Sequence, residues 1–130
     1  MNAHVTPLHY SQAFDRVVYL MTIRGHLSYA VVLKYAPEGH FCAYLPVNQE
    51  TWIKHSDELR LKHDITYEGI GSNAIQIPYQ IANVIPIDTL NYWIGIDYMN
   101  KEQPEPKDVF ARLEAIVEDL ILHGIQYSAV

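Results

Sequence analysis

Tyr92-Trp93-Ile94-Gly95-Ile96-Asp97-Tyr98 is an apolar, aromatic, β-favouring run with a glycine at its centre and one acid near its end. Such a run reads as a core strand that delivers Asp97 to a rim or a site. A break containing Pro104 and Pro106 comes next. Val109, Phe110, Leu113, Ile116, Val117, Leu120 and Ile121 then recur at helical spacing and make one apolar stripe. Glu105 and Asp108 suit the positive end of that helix, and His123 with Gly124 suits its close. A stripe of this length needs a broad apolar surface to cover, and a sheet is the one candidate of that size.

Upstream of the core strand, Phe14 to Arg24 and Leu27 to Tyr35 are rich in β-formers and flank Gly25-His26, which predicts a hairpin. Pro37-Glu38-Gly39 is turn chemistry, and His40 to Val47 reads as a third strand, with Pro46 at a strand end or edge. Residues 1–12 are polar and mixed, as in a loose N-terminal arm. Asn48 is placed to cap a helical turn carrying Trp52 and Ile53, and Ser56-Asp57-Glu58 to start another. Asp64 to Ile70 is strand-like, and Gly69 to Asn73 reads as a flexible loop. The expected fold is α+β: one domain over 1–130, a mostly antiparallel sheet opening as a meander, and a long C-terminal amphipathic helix packed on one face.

Composition narrows the function classes. The 130 residues are 49% hydrophobic and 18% charged, enough apolar content for a packed core. Nine basic against fifteen acidic residues give a net charge of −6, the wrong sign for general nucleic-acid or acidic-membrane binding. The single cysteine, Cys42, excludes an intramolecular disulfide. Residues 1–13 have no signal-peptide pattern and no apolar run reaches the ~20 residues of a membrane span, so a cytoplasmic protein is expected.

Three segments resemble a family of small uncharacterised proteins of bacteriophages, prophages and other mobile elements. Gly39-His40-Phe41-Cys42-Ala43-Tyr44-Leu45-Pro46 is similar to that family's GHWCGYV-VP strand. His63-Asp64-Ile65-Thr66-Tyr67-Glu68-Gly69 is similar to its HGGLTYSG segment. Tyr92-Trp93-Ile94-Gly95-Ile96-Asp97 is similar to its WWVGFD strand. Order and spacing agree over roughly residues 39–122. The chain departs from the family after Asp97, where Tyr98-Met99-Asn100-Lys101-Glu102 replaces a Cys-Ala-His-x-Gly-Asp run, and at Asp64, which stands where the family has glycine. The resemblance implies a mobile-element accessory protein, a class that often counters host defences.

The residues offer two kinds of candidate site. His63 and Tyr67, four apart on an expected strand, share a face. If that strand neighbours the core strand, His63, Tyr67, Trp93 and Asp97 can line a ligand site, and a His–Asp pair is the raw material of general base chemistry. The simpler reading of each is a hydrogen bond inside the core. Glu50, Trp52, Asp57 and Glu58 form the candidate partner surface, an acidic face with an aromatic anchor. No metal site or cofactor is expected: His40-x-Cys42 supplies two donors, and a structural zinc needs four. No nucleophile elbow, HExxH pair or nucleotide fingerprint occurs. The leading expectation is therefore a non-enzymatic protein that binds and inhibits a host protein, a component of a bacterial defence system, in the host cytoplasm. One alternative is a binder, in a homo-oligomer, that sequesters a nucleotide-like signal. The other is a small enzyme using His63, Tyr67 and Asp97.

Overall fold

The computed structural model describes residues 5–13, 16–23, 28–35, 40–75, 90–98 and 104–125. Its core is an α+β arrangement: a six-stranded sheet in the order β1-β2-β3-β4-β6-β5, every pair antiparallel. The strands are β1 (Val5–Ala13), β2 (Arg16–Ile23), β3 (Ser28–Tyr35), β4 (Phe41–Pro46), β5 (Tyr67–Ile70) and β6 (Tyr92–Asp97). The first four are neighbours in chain order, so the expected meander is present and one strand longer than expected. The turns expected at Gly25-His26 and Pro37-Gly39 lie outside the described residues, as does most of the stretch between β5 and β6.

The extra strand corrects the reading of residues 1–12 as a loose arm, because Val5–Ala13 is paired along β2. Its polar composition misleads because β1 is an edge strand. Pro7 breaks the usual strand pattern, and the register shifts between Pro7 and His9. A proline beside a bulge is tolerated at an edge, where one face of the ladder needs no donor, and it discourages further pairing.

The core strand behaves as its sequence predicts. Lying between β4 and β5, β6 buries Trp93, Ile94, Gly95 and Ile96. Side chains alternate across the sheet. Phe41, Ala43 and Leu45 of β4 and Ile94 and Ile96 of β6 join the cluster on the helix-covered face. Cys42 and Tyr44 of β4, and Trp93, Gly95 and Asp97 of β6, therefore belong to the opposite face. Both faces of β4 are buried along its whole length.

The long helix, α3 (Pro106–Leu122), contributes Val109, Leu113, Ile116, Val117 and Leu120 to the core. Pro106 takes the first helical position, where its missing amide costs nothing. The Glu105 amide donates to the Asp108 carboxylate at 3.1 Å. At the other end, Gly124 adopts φ +67°, its amide donates to the Ile121 carbonyl at 3.1 Å, and the Ile125 amide donates to the Leu120 carbonyl at 2.8 Å. That is the Schellman closure, which requires the left-handed residue glycine supplies without strain.

Two short helices complete the same layer. In α1 (Gln49–Ile53), Asn48 caps through its side chain, whose oxygen accepts from the Thr51 amide at 3.1 Å. α2 (Ser56–His63) carries Asp57 and Glu58 in its first turn and Arg60, Lys62 and His63 in its last, matching the helix dipole. Among the described residues no helix is long and apolar enough to cross a membrane.

Candidate functional site

The four residues expected to line one ligand site divide between two faces of the sheet. α2 extends through His63, Asp64 turns the chain with φ +57°, and β5 starts only at Tyr67. His63 therefore leaves the strand on which it was expected. It is buried against α3, where its Nε2 lies 2.5 Å from Asp119 Oδ2. The signal for this lay in the helix-favouring charge order of residues 56–63, which outweighs the β-character of residues 65–70.

Tyr67, Trp93 and Asp97 do share a face, the one opposite the helices, as the β5–β6 pairing of Tyr67 with Gly95 requires. On it, Tyr44 of β4 and Tyr67 of β5 flank Gly95, with ring centroids 6.0 Å apart and planes at 86°. The Tyr67 hydroxyl donates to the Ile70 carbonyl at 2.5 Å. Trp93 is buried. Asp97 ends the row with 43% of its side chain exposed.

The histidine that meets Asp97 is His40, whose Nε2 lies 3.1 Å from Asp97 Oδ1. Cys42 is the direct cross-strand partner of Asp97. Donor atoms of His40, Cys42 and Asp97 all lie within 4.8 Å of one another. The sequence signal was present, since His40 and Cys42 are two apart on a strand, but nothing local gives the β4–β6 register that brings Asp97 to them. The Asp97 amide also donates to Thr66 Oγ1 at 2.8 Å, fixing the end of β6 against the entry to β5.

Electrostatics restrict what this trio can do. Burial pushes the Cys42 thiol up to about 11, the neighbouring Asp97 carboxylate adds to the rise, and a hydrogen bond with Tyr44 opposes it. The thiolate is the nucleophile, so a thiol held protonated and buried is inert at neutral pH. The trio is a hydrogen-bonded corner at a half-exposed strand end, without an activated nucleophile.

The expected partner surface is half preserved. Glu50, Asp57 and Glu58 are exposed on α1 and α2. Trp52 is not: it is fully buried, and its Nε1 donates to Glu68 Oε1 at 2.6 Å. Glu68 also accepts from Arg60 Nε. Burial alone would raise the Glu68 carboxyl, but these hydrogen bonds outweigh it and hold the group below the ordinary range. Trp52 is thus a core anchor within the turn that Asn48 caps, facing inward with Leu59 of the neighbouring helix. The apolar members of the outer surface are Ile53, 57% exposed, and Leu61, 85% exposed. Asp57 pairs with Arg60 at 3.0 Å within that surface.

No protein family, curated protein or solved structure matches this chain.

Proposed function

We propose that this is a non-enzymatic accessory protein of a phage or mobile element that binds a host protein through the outer surface of α1 and α2. The observation that carries the reading is the exposure of Ile53 and Leu61 among Glu50, Asp57 and Glu58. Large aliphatic side chains left in water beside charged ones, here the acids Glu50, Asp57 and Glu58 with Lys54 and Lys62 next to the apolar pair, are the composition of a binding surface, with an apolar centre and a polar rim. Burying one leucine stabilises a complex by about 1.5–3 kcal/mol. The partner this surface fits is a basic protein face with an apolar recess. The resemblance over residues 39–122 makes a component of a bacterial defence system the partner class of choice.

The enzyme reading loses support, because His63 lies on the other face from Tyr67 and Asp97. The ligand-binding reading keeps one observation in its favour, the half-exposed Asp97 beside His40.

Capture from a bacterial host lysate separates these readings. A basic host protein retained in stoichiometric amount by the wild type and by Asp97→Asn, released by salt, and lost with Glu50→Lys/Asp57→Lys or Leu61→Glu is the expected result. Salt sensitivity arises from rim charges that steer encounter. Retention by the reversed surface would overturn the assignment of the surface. Loss with Asp97→Asn alone would move the function to the sheet corner.

A further inference from the structure

A second donor set stands where α3 meets the corner between α1 and α2. His55 is the residue before the first turn of α2, Glu58 is the third residue of that helix, and His123 closes α3 before the Gly124 turn. The His55 and His123 rings lie with centroids 4.8 Å apart and planes at 61°. His123 Nε2 is 3.8 Å from Glu58 Oε2. One ligand atom from each of the three lies within 4.8 Å of the others.

The hydrogen positions can be argued from chemistry. His123 Nδ1 lies 2.8 Å from the Asp119 carbonyl oxygen, which can only accept, so Nδ1 carries the hydrogen. In the neutral ring Nε2 then presents its lone pair towards the Glu58 carboxylate, at a distance too long for a hydrogen bond. Two electron-rich atoms facing each other are satisfied either by a proton on Nε2, which makes an ion pair with Glu58, or by a metal cation held between them. A ring nitrogen donating to a backbone carbonyl while the other faces outward is the usual support of a metal-bound imidazole, because it fixes both tautomer and orientation.

We propose that His55, Glu58 and His123 bind a divalent transition-metal ion, zinc in the first instance, which braces the end of α3 against the α1–α2 corner. Two imidazoles and a carboxylate are borderline donors that favour zinc and its neighbours over magnesium or calcium. Three protein ligands leave a fourth position for water. Tetrahedral zinc holds such donors about 3.3 Å apart, so donor atoms now within 4.8 Å of one another need only a modest approach to bind it. The carbonyl end of α3 favours a cation, and Glu58 offsets the opposing amide end of α2. The site shares Glu58 with the proposed partner surface but does not rest on that surface.

The test is zinc titration of tag-free protein against a chromogenic chelator. The wild type is expected to take up zinc at this site. His55→Gln and His123→Gln each weaken uptake by about tenfold or more, and Cys42→Ser leaves it unchanged. Added zinc raises the thermal midpoint of the wild type and not of His123→Gln. Cobalt in place of zinc gives visible ligand-field bands without a thiolate charge-transfer band. Should His123→Gln fail to fold by circular dichroism, His55→Gln carries the same comparison. Failure of the wild type to compete with the chelator would overturn the proposal. So would wild-type affinity in both histidine variants, or a thiolate band abolished by Cys42→Ser, which places the metal on the sheet face instead. Because none of these readouts uses a host partner, either proposal can fail without the other.

Discussion

His63 and Asp119, 56 residues apart in sequence, meet across α2 and α3 with His63 Nε2 2.5 Å from Asp119 Oδ2, and both are buried. Lys62 reaches the same oxygen at 2.8 Å. His63 Nδ1 has no hydrogen-bond partner, so the imidazole gives its one polar contact to Asp119. This link ties the last residue of the short helix to the last turn of the long one.

Asp119→Ala leaves His63 buried without its acceptor, which costs about 1–3 kcal/mol. Burial raises the Asp119 carboxyl, but hydrogen bonds from Lys62 and His63 outweigh it and hold the group below the ordinary carboxylate range. A folded value below the unfolded one gives stability that is complete above the unfolded value. It is lost as pH falls through the folded one. Urea unfolding at pH 7 and pH 3 is therefore expected to show a larger acid loss in the wild type than in Asp119→Ala. Equal losses in the two proteins would remove the link from any account of acid stability.

Gly95 explains the glycine inside an otherwise bulky strand. A Cβ at this position would stand 2.8 Å from Tyr44 Cε1 and 2.9 Å from the Ala43 carbonyl oxygen. The backbone oxygen cannot swing aside as a side chain can. Gly95→Ala is expected to destabilise by about 1–3 kcal/mol through overpacking. Pairing it with Tyr44→Ala tests the cause: non-additivity of the two changes, seen in thermal unfolding, marks the ring as the obstacle.

Periodicity alone locates β6 and α3, because each has a pattern long enough to exclude the alternative. Asn48, Pro46 and Gly124 mark boundaries through capping and missing-donor chemistry. Asn48 makes the α1 start legible by capping it, whereas α2 starts at Ser56 behind His55, which makes no side-chain cap, and its signal is the acidic first turn of Asp57 and Glu58. What the sequence conceals is pairing between distant segments. The edge strand β1 is polar and carries Pro7, so it imitates an arm. The register of β4 on β6, which sets Cys42 against Asp97, has no local signature. The site suffers accordingly. The sequence puts a histidine beside Asp97, and one is there, but it is His40 rather than His63, because a helix of eight residues carries His63 onto the opposite layer. Trp52 is ambiguous by residue type, since an aromatic among acids suits both an interface and the inward side of an amphipathic helix.

Asp64 ends α2 at φ +57° and ψ +44°, the left-handed region that most side chains enter at a cost. Asp64→Gly is expected to stabilise the protein by about 0.5–1 kcal/mol, and Asp64→Ala to destabilise it, since alanine has neither the freedom of glycine nor the local hydrogen bonding of aspartate. Opposite shifts in the thermal midpoint of the two variants are the expected reading. Shifts of the same sign would mean that contacts of the aspartate side chain, rather than backbone conformation, govern the turn.

Cys42 reports on the corner where β4 and β6 pair. Its thiol is buried and pushed up to about 11, first by burial and then by the Asp97 carboxylate. Native protein at pH 8 is therefore expected to resist iodoacetamide, while urea-unfolded protein reacts at the rate of a free cysteine. Asp97→Asn removes the negative neighbour and moves the thiol downward. Each unit of that movement raises the thiolate fraction about tenfold at a fixed pH well below it. Burial persists in this variant, so its labelling should exceed that of the wild type and remain below that of the unfolded chain. His40→Gln provides the comparison, because it alters the partner of Asp97 while leaving the carboxylate beside the thiol. Labelling of Asp97→Asn measured as slow as the wild type would mean that access alone protects Cys42. Labelling as fast as the unfolded chain would mean that the Asp97 carboxylate, through His40, holds the end of β6 in the sheet.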